Sequence, residues 1–142
     1  MSDPASQDRP PAGRAVLVGI VDPRGWLLLQ ERDDRAPVNP EMWSLVGGGV
    51  EPSELPAQAA RRELAEETGV ACESLVHLGS FESSCEIHGI DQVDLYAARM
   101  ALTDAEVECH EGRQIVFVAP ERIADLNLTE ATRALYQRVL SA

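Results

Sequence analysis

The stretch RRELAEETGV, residues 61–70, places Glu63, Glu66 and Glu67 beside two arginines and closes on Gly69-Val70. Pro56 suits a first helical turn and Gly69 the position just past a last one, so residues 54–68 read as a helix. Leu55 stands where an oxygen-bearing cap is expected; Ser53 is the nearest candidate and leaves the start open by a residue or two. The acids therefore fall on the final turn, where the backbone already carries partial negative charge and cations would be favoured.

At 100° per residue, with Glu63 at zero, Glu67 lies at about 40° and Glu66 at about −60°. Ala60, Leu64 and Ala57 lie at about 60°, 100° and 120° and form the expected buried stripe. The acids thus border the core face instead of opposing it, and Glu63 and Glu67 form an unfavourable like-charge pair one turn apart. A solvated acidic face would lie away from the core and near the helix start. Breaking several local rules at once is characteristic of a functional site. Clustered carboxylates call for a divalent cation, and Mg²⁺ takes oxygen ligands from carboxylates together with substrate phosphates. Arg62, one turn before Glu66, either makes a surface ion pair or orients a carboxylate toward such an ion; spacing alone supports both.

Outward from the helix the pattern is mostly strand. RAVLVGIVD and GWLLLQER are joined by the turn signal DPRG. DDRAPVNPEM is loop, and WSLVGGGVEP is a short strand entering a triple glycine that presents backbone. SLVHLGSFESS, DQVDLYAARMAL and RQIVFVAP are further strands, with CEIHGI between the first two. PERIADL and TEATRALYQRVL are short helices. Hairpin connections dominate, which favours an α/β (α+β) mixed sheet flanked by helices over a doubly wound fold. Residues 1–13, polar and proline-rich, read as a disordered leader, and residues 14–142 as one domain.

The 142 residues suit one domain, and 44% hydrophobic with 25% charged residues is an ordinary globular composition. Twenty-four acidic against twelve basic residues give a net charge of −12. That charge disfavours duplex nucleic acid and anionic membranes, but not a small phosphorylated substrate whose charge metal ions offset. Cys72, Cys85 and Cys109 make no disulfide framework, and no run is apolar enough to span a bilayer; the chain reads as cytoplasmic. Cys85 with His88, and Cys109 beside His110, match no standard zinc spacing and read as ordinary strand and loop residues. Trp26, Trp43, Phe81, Tyr96 and Phe117 could stack a base, although aromatics at strand positions more often belong to a core.

From Gly48 the chain continues with five residues, Glu54, seven residues, and then Arg62-Glu63-Leu64-Ala65-Glu66-Glu67-Thr68-Gly69-Val70. This resembles the signature of the Nudix hydrolases, complete over residues 48–70. Trp43, Gly47-Gly48 and Val50-Glu51 match its flanks; Val46 replaces a common proline and Ser53 a common glycine. The resemblance implies an α/β/α sandwich around a mixed sheet, with a loop–helix–loop that binds Mg²⁺ or Mn²⁺. Carried over, Glu63, Glu66 and Glu67 would ligate metal or activate water, with Glu63 first choice as the base. Glu54 and Arg62 would fix the helix and orient those carboxylates, and the Gly47 carbonyl would be a further ligand. Many members add an acid from outside the motif; Glu111 is favoured for this over Glu106 and Glu108.

The implied activity is hydrolysis of a nucleoside diphosphate linked to another moiety. The compact domain resembles mutator-type (d)NTP pyrophosphohydrolases, including those acting on oxidised guanine nucleotides. ADP-ribose or nucleotide-sugar hydrolysis is the alternative, and a nucleotide-sensing domain without turnover the non-enzymatic one. The expected partner is a small-molecule nucleotide, bound by a monomer or homodimer.

Overall fold

The computed structural model describes residues 13–36, 40–85 and 89–142, with the Cys85 side chain excepted. The expected leader and the Cys85–His88 pair therefore lie outside the described residues, save that Gly13 already opens the first strand. Seven strands form one mixed sheet: β1 (Gly13–Val21), β2 (Leu27–Glu31), β3 (Trp43–Ser44), β4 (Val46–Gly49), β5 (Val76–Cys85), β6 (Gly89–Arg99) and β7 (Gln114–Val118). Among the described residues three α-helices accompany it: α1 (Pro56–Thr68), α2 (Pro120–Ile123) and α3 (Glu130–Ser141).

β1 and β2 are the expected hairpin, but they share a single rung, Val21–Leu27. Beyond it the strands part. β1 pairs antiparallel with β4 and parallel with β6, which pairs with β5, while β2 lies between β3 and β7. The hairpin turn is closed by the buried carboxylate of Asp22, which accepts the amides of Arg24 and Trp26 and the Arg24 guanidinium. Burial acts to raise the Asp22 pKa, but those hydrogen bonds win and it lies below its ordinary value.

Alternation along β1 sends Val16, Val18 and Ile20 toward α1, and Ala15, Leu17 and Val21 toward α3. On the first face they pack with Leu28, Val46, Ala59, Ala60 and Leu64. On the second, Leu27, Leu29, Leu45 and Leu95 meet Ile123, Leu135 and Val139. A side chain at Gly19 would overlap Val139, so α3 rests directly on β1 there. Thr129 caps α3 by accepting the Thr132 amide, and Thr132 Oγ1 accepts the Leu45 amide at 3.0 Å, fixing the step between β3 and β4.

Two local expectations change. The region 43–49 is two strands, and its glycines lie within the second. The central helix begins at Pro56, not 54, and Ser53 does not cap it. Instead the Gln58 side chain reaches back and accepts the Leu55 amide at 2.9 Å. Its end is as expected: Gly69, at φ 74°, is left-handed and donates its amide to Ala65.

Candidate active site

Among the described residues β4 pairs with β1 alone, and its register decides what its glycines offer. Val50 donates its amide to the Arg14 carbonyl, so Arg14–Val50 is a hydrogen-bonded pair; Leu17 faces Gly47 and Ala15 faces Gly49. Alternation makes those last two pairs non-bonded, which turns the amide and carbonyl of Gly47 and Gly49 away from β1. Two of these groups are used by α1: Gly47 donates its amide to Glu67 Oε2 at 3.3 Å, and the Gly49 carbonyl accepts from Arg62 at 2.9 Å. The Gly47 carbonyl points to the same side.

Gly48 explains why the strand lacks side chains. A Cβ there would lie 2.5 Å from the Glu63 carboxyl carbon, so that carboxylate rests directly on the bare backbone. Glu63 is raised above the ordinary carboxylate pKa, chiefly by burial, against the opposing pull of Arg62.

Glu67 does not border the buried stripe, as the helical wheel suggested; it lies inside it. Ala59 and Thr68 are also buried, so the buried arc runs from about −40° to about 140°. At about 40° Glu67 sits near its middle, and it is only 4% exposed. Burial, the charges of Glu63 and Glu111, and a hydrogen bond with Glu111 push its pKa up to about 9, with the Gly47 amide the opposing influence. Glu111 is thereby the loop acid that meets the helix. Glu106 instead accepts the Thr103 amide in a 3-10 turn, and Glu108 pairs with His110 beside Gly69.

Arg62 ties these acids to the glycine strand. Its guanidinium grips both Glu54 oxygens at 2.7 and 2.9 Å and also reaches Glu63 at 2.7 Å and Glu66 at 3.1 Å. Hydrogen bonds from Arg62, with a further one from the Glu51 amide, lower the Glu54 pKa to about 2. Glu66 is 59% exposed at its side chain and is the outermost of the three acids on α1.

The last turn of α1 contains no basic residue, and the loop before β7 supplies what is missing. Glu108 and His110 donate their amides to the carbonyls of Thr68 and Glu67, each at 2.9 Å. The His110 ring lies 2.6 Å from the Glu66 carbonyl through Nδ1 and pairs with Glu108 through Nε2. Those contacts, the Glu66 carbonyl first, raise the His110 pKa. Both ring nitrogens are thus committed, and Cys109 Sγ faces the carbonyls of Glu111 and Gly112. His110 carries no sequence signal for this role beyond its place next to Glu111.

A cleft of about 390 Å³ opens along the glycine strand on the α3 side, walled by Leu17, Val93, Ser44, Arg32 and the start of α3 at Thr129–Ala131. None of the five aromatic candidates lines it; Trp26 is stacked under Arg24 and Phe81 under Arg138. Gly47, Gly48 and Gly49 line the cleft, and Glu63 rests on Gly48, so carboxylates and cleft meet at one strand. Among the described residues, no three His, Cys, Asp or Glu side chains form a ready-made metal cluster, since Glu63 and Glu66 turn toward Arg62. The donors nonetheless suit a hard cation: they are all oxygen, and the innermost is buried among like charges.

The NUDIX domain family model matches residues 11–139. The chain belongs to the Nudix family. It is an enzyme of the Nudix hydrolase class, with that family's mixed sheet between helices. It is 30% identical to CTP pyrophosphohydrolase of Escherichia coli (strain K12) over 127 residues, covering 84% of this chain and 91% of that one. It is 31% identical to nucleoside triphosphatase NudI of Enterobacter sp. (strain 638) over 137 residues, 87% of this chain and 94% of the relative. The fold matches the crystal structure of a MutT protein from Methanosarcina mazei Go1 with a TM-score of 0.78 at 22% identity, over 92% of this chain and 94% of the other. No helix among the described residues is long and apolar enough to cross a membrane.

Proposed function

We propose that this Nudix protein hydrolyses nucleoside triphosphates to a monophosphate and pyrophosphate with Mg²⁺ or Mn²⁺. The observation that carries this reading is Glu67, buried in the helix core face with Glu63 and Glu111 against it and the groups that act on it most being other carboxylates. A buried carboxylate without a compensating charge is unfavourable, and a divalent cation is the simplest partner. Glu63, Glu66, Glu67, Glu111 and the Gly47 carbonyl would hold the ion. When bound, it would neutralise phosphate oxygens and lower the pKa of the attacking water.

The protein's own groups do the rest. Glu63, held by Arg62 and raised in pKa by burial, accepts the proton of that water. Arg62 and Glu54 hold the carboxylates against the glycine strand, and positioning accounts for most phosphoryl-transfer catalysis. The cleft beside the strand receives the nucleoside. A triphosphate is favoured over ADP-ribose or a nucleotide sugar because the two relatives described above are named for triphosphates.

The test is a nucleotide panel with Mg²⁺ and with Mn²⁺, products identified, beside Glu63→Gln and Glu67→Gln. The expected products are monophosphate and pyrophosphate, with turnover lost in both variants. A sugar phosphate product would move the substrate to the nucleotide-sugar class. Tight nucleotide binding without metal-dependent turnover on any substrate would refute hydrolysis.

A further inference from the structure

Glu111 comes from a loop far along the chain from α1, and something must set its distance to Glu67. Its carbonyl accepts a hydrogen bond of 2.7 Å from Nε2 of Gln30, across a separation of 81 residues. Gln30 is only 2% exposed and is the fourth of the five residues of β2, opposite Ser44 of β3 and Ile115 of β7, so its backbone is held by two neighbouring strands. The next loop residue follows the same surface. Gly112, at φ 86°, lies so close that a Cβ would be 2.6 Å from the Glu31 carbonyl and 3.2 Å from Gln30 Cγ. Arg113 then donates its amide to that Glu31 carbonyl at 2.8 Å. On the other side, His110 fastens the loop to the carbonyls of Glu66 and Glu67. The loop is therefore clamped between α1 and β2, with Glu111 between the clamps.

We infer that Gln30 is a positioning residue that sets divalent-cation affinity by fixing Glu111 against Glu67. The inference rests on the proposed reading of Glu111 as a ligand. A buried polar side chain directly after three buried leucines (Leu27, Leu28 and Leu29) would be unfavourable unless satisfied, and the Glu111 carbonyl satisfies its donor. Groups that hold a ligand in place commonly change metal affinity 10- to 100-fold when removed.

The experiment measures Mn²⁺ binding to the full chain without nucleotide, by electron paramagnetic resonance of the free ion, together with Tm. Four proteins are compared: wild type, Gln30→Met, Glu111→Gln and the double variant. Gln30→Met keeps the side-chain length and removes the donor. It should weaken Mn²⁺ affinity about tenfold with Tm little changed, and add no more than about twofold in the Glu111→Gln background, since both act through one carboxylate. Multiplying effects would overturn the inference, because Gln30 would then act elsewhere. Unchanged affinity in Gln30→Met beside weakened binding in Glu111→Gln would overturn it while sparing the ligand reading. Unchanged affinity in Glu111→Gln would sink the ligand reading itself. If Gln30→Met does not fold, Gly112→Ala disturbs the same anchor from the loop side and carries the same expectation.

Discussion

Gly48→Ala isolates the contact between the glycine strand and Glu63. The new Cβ would stand 2.5 Å from the Glu63 carboxyl carbon and 2.8 Å from Oε1, where ordinary contact begins at 3.4 Å. The carboxylate must therefore retreat by about 1 Å, and displacements of that size at a reacting group cost on the order of 100-fold in rate. At 1.36 kcal/mol per decade, that is about 2.7 kcal/mol of activation free energy. The fold should not suffer, because the obstructing atoms are the end of a flexible side chain and Gly48 does not have a positive φ. Alanine in place of glycine at this position of β4 adds about 0.4–1 kcal/mol through the unfolded chain. Pyrophosphate release at saturating Mg²⁺, on the panel nucleotide that wild type turns over fastest, supplies the rate; differential scanning calorimetry supplies Tm. Gly49→Ala, whose Cβ would meet only the Arg14 carbonyl at 4.0 Å, is the comparison for Tm. Gly48→Ala with kcat/KM within threefold of wild type would refute the claim that Glu63 works from that backbone contact.

Arg62→Lys should lower kcat 10- to 100-fold with KM little changed, because an ammonium cannot grip Glu54 through two oxygens while also reaching Glu63 and Glu66; a wild-type kcat would show that Arg62 is a surface pair only. Glu54 has its pKa lowered from 4.5 to about 2, so its contribution to stability is present above 4.5 and is lost as pH falls toward 2. Glu54→Gln should therefore be less stable than wild type at pH 7, with the difference shrinking as pH falls through that window; Tm followed from pH 7 to pH 3 checks this, and a constant difference would contradict it. Thr129→Ala removes the α3 cap and should cost about 1 kcal/mol, seen as a lower urea midpoint at unchanged slope.

The parts of this protein that sequence made legible are those governed by local rules. Gly69 ends the helix because only a left-handed residue closes it there, and the β1–β2 turn is visible in DPRG because Asp22 can bond the amides that follow. The burial of Glu67 was only half legible: a wheel puts a carboxylate beside the apolar stripe, but its neighbours decide whether water reaches it. Ala59 and Thr68 extend the buried arc on both sides and enclose it. Contacts between distant segments left no local trace. Gln30 reads as the polar end of an apolar run until the loop from 81 positions away supplies its acceptor. His110 reads as an ordinary loop residue until the exposed carbonyls of α1 account for it. The parallel pairing of β1 with β6 likewise depends on the whole chain having come together.

The single rung joining β1 to β2 separates two tasks that a less divided sheet would have to merge. The carboxylate-bearing helix and its glycine rail belong to the β1 branch, whereas the acid brought in late and its glutamine anchor belong to the β2 branch. Changes to the cleft wall can accumulate on β5, β6 or the start of α3 without touching either partner of the Glu67–Glu111 encounter. A scaffold divided in this way can exchange one substrate for another while keeping the same way of breaking a phosphoanhydride.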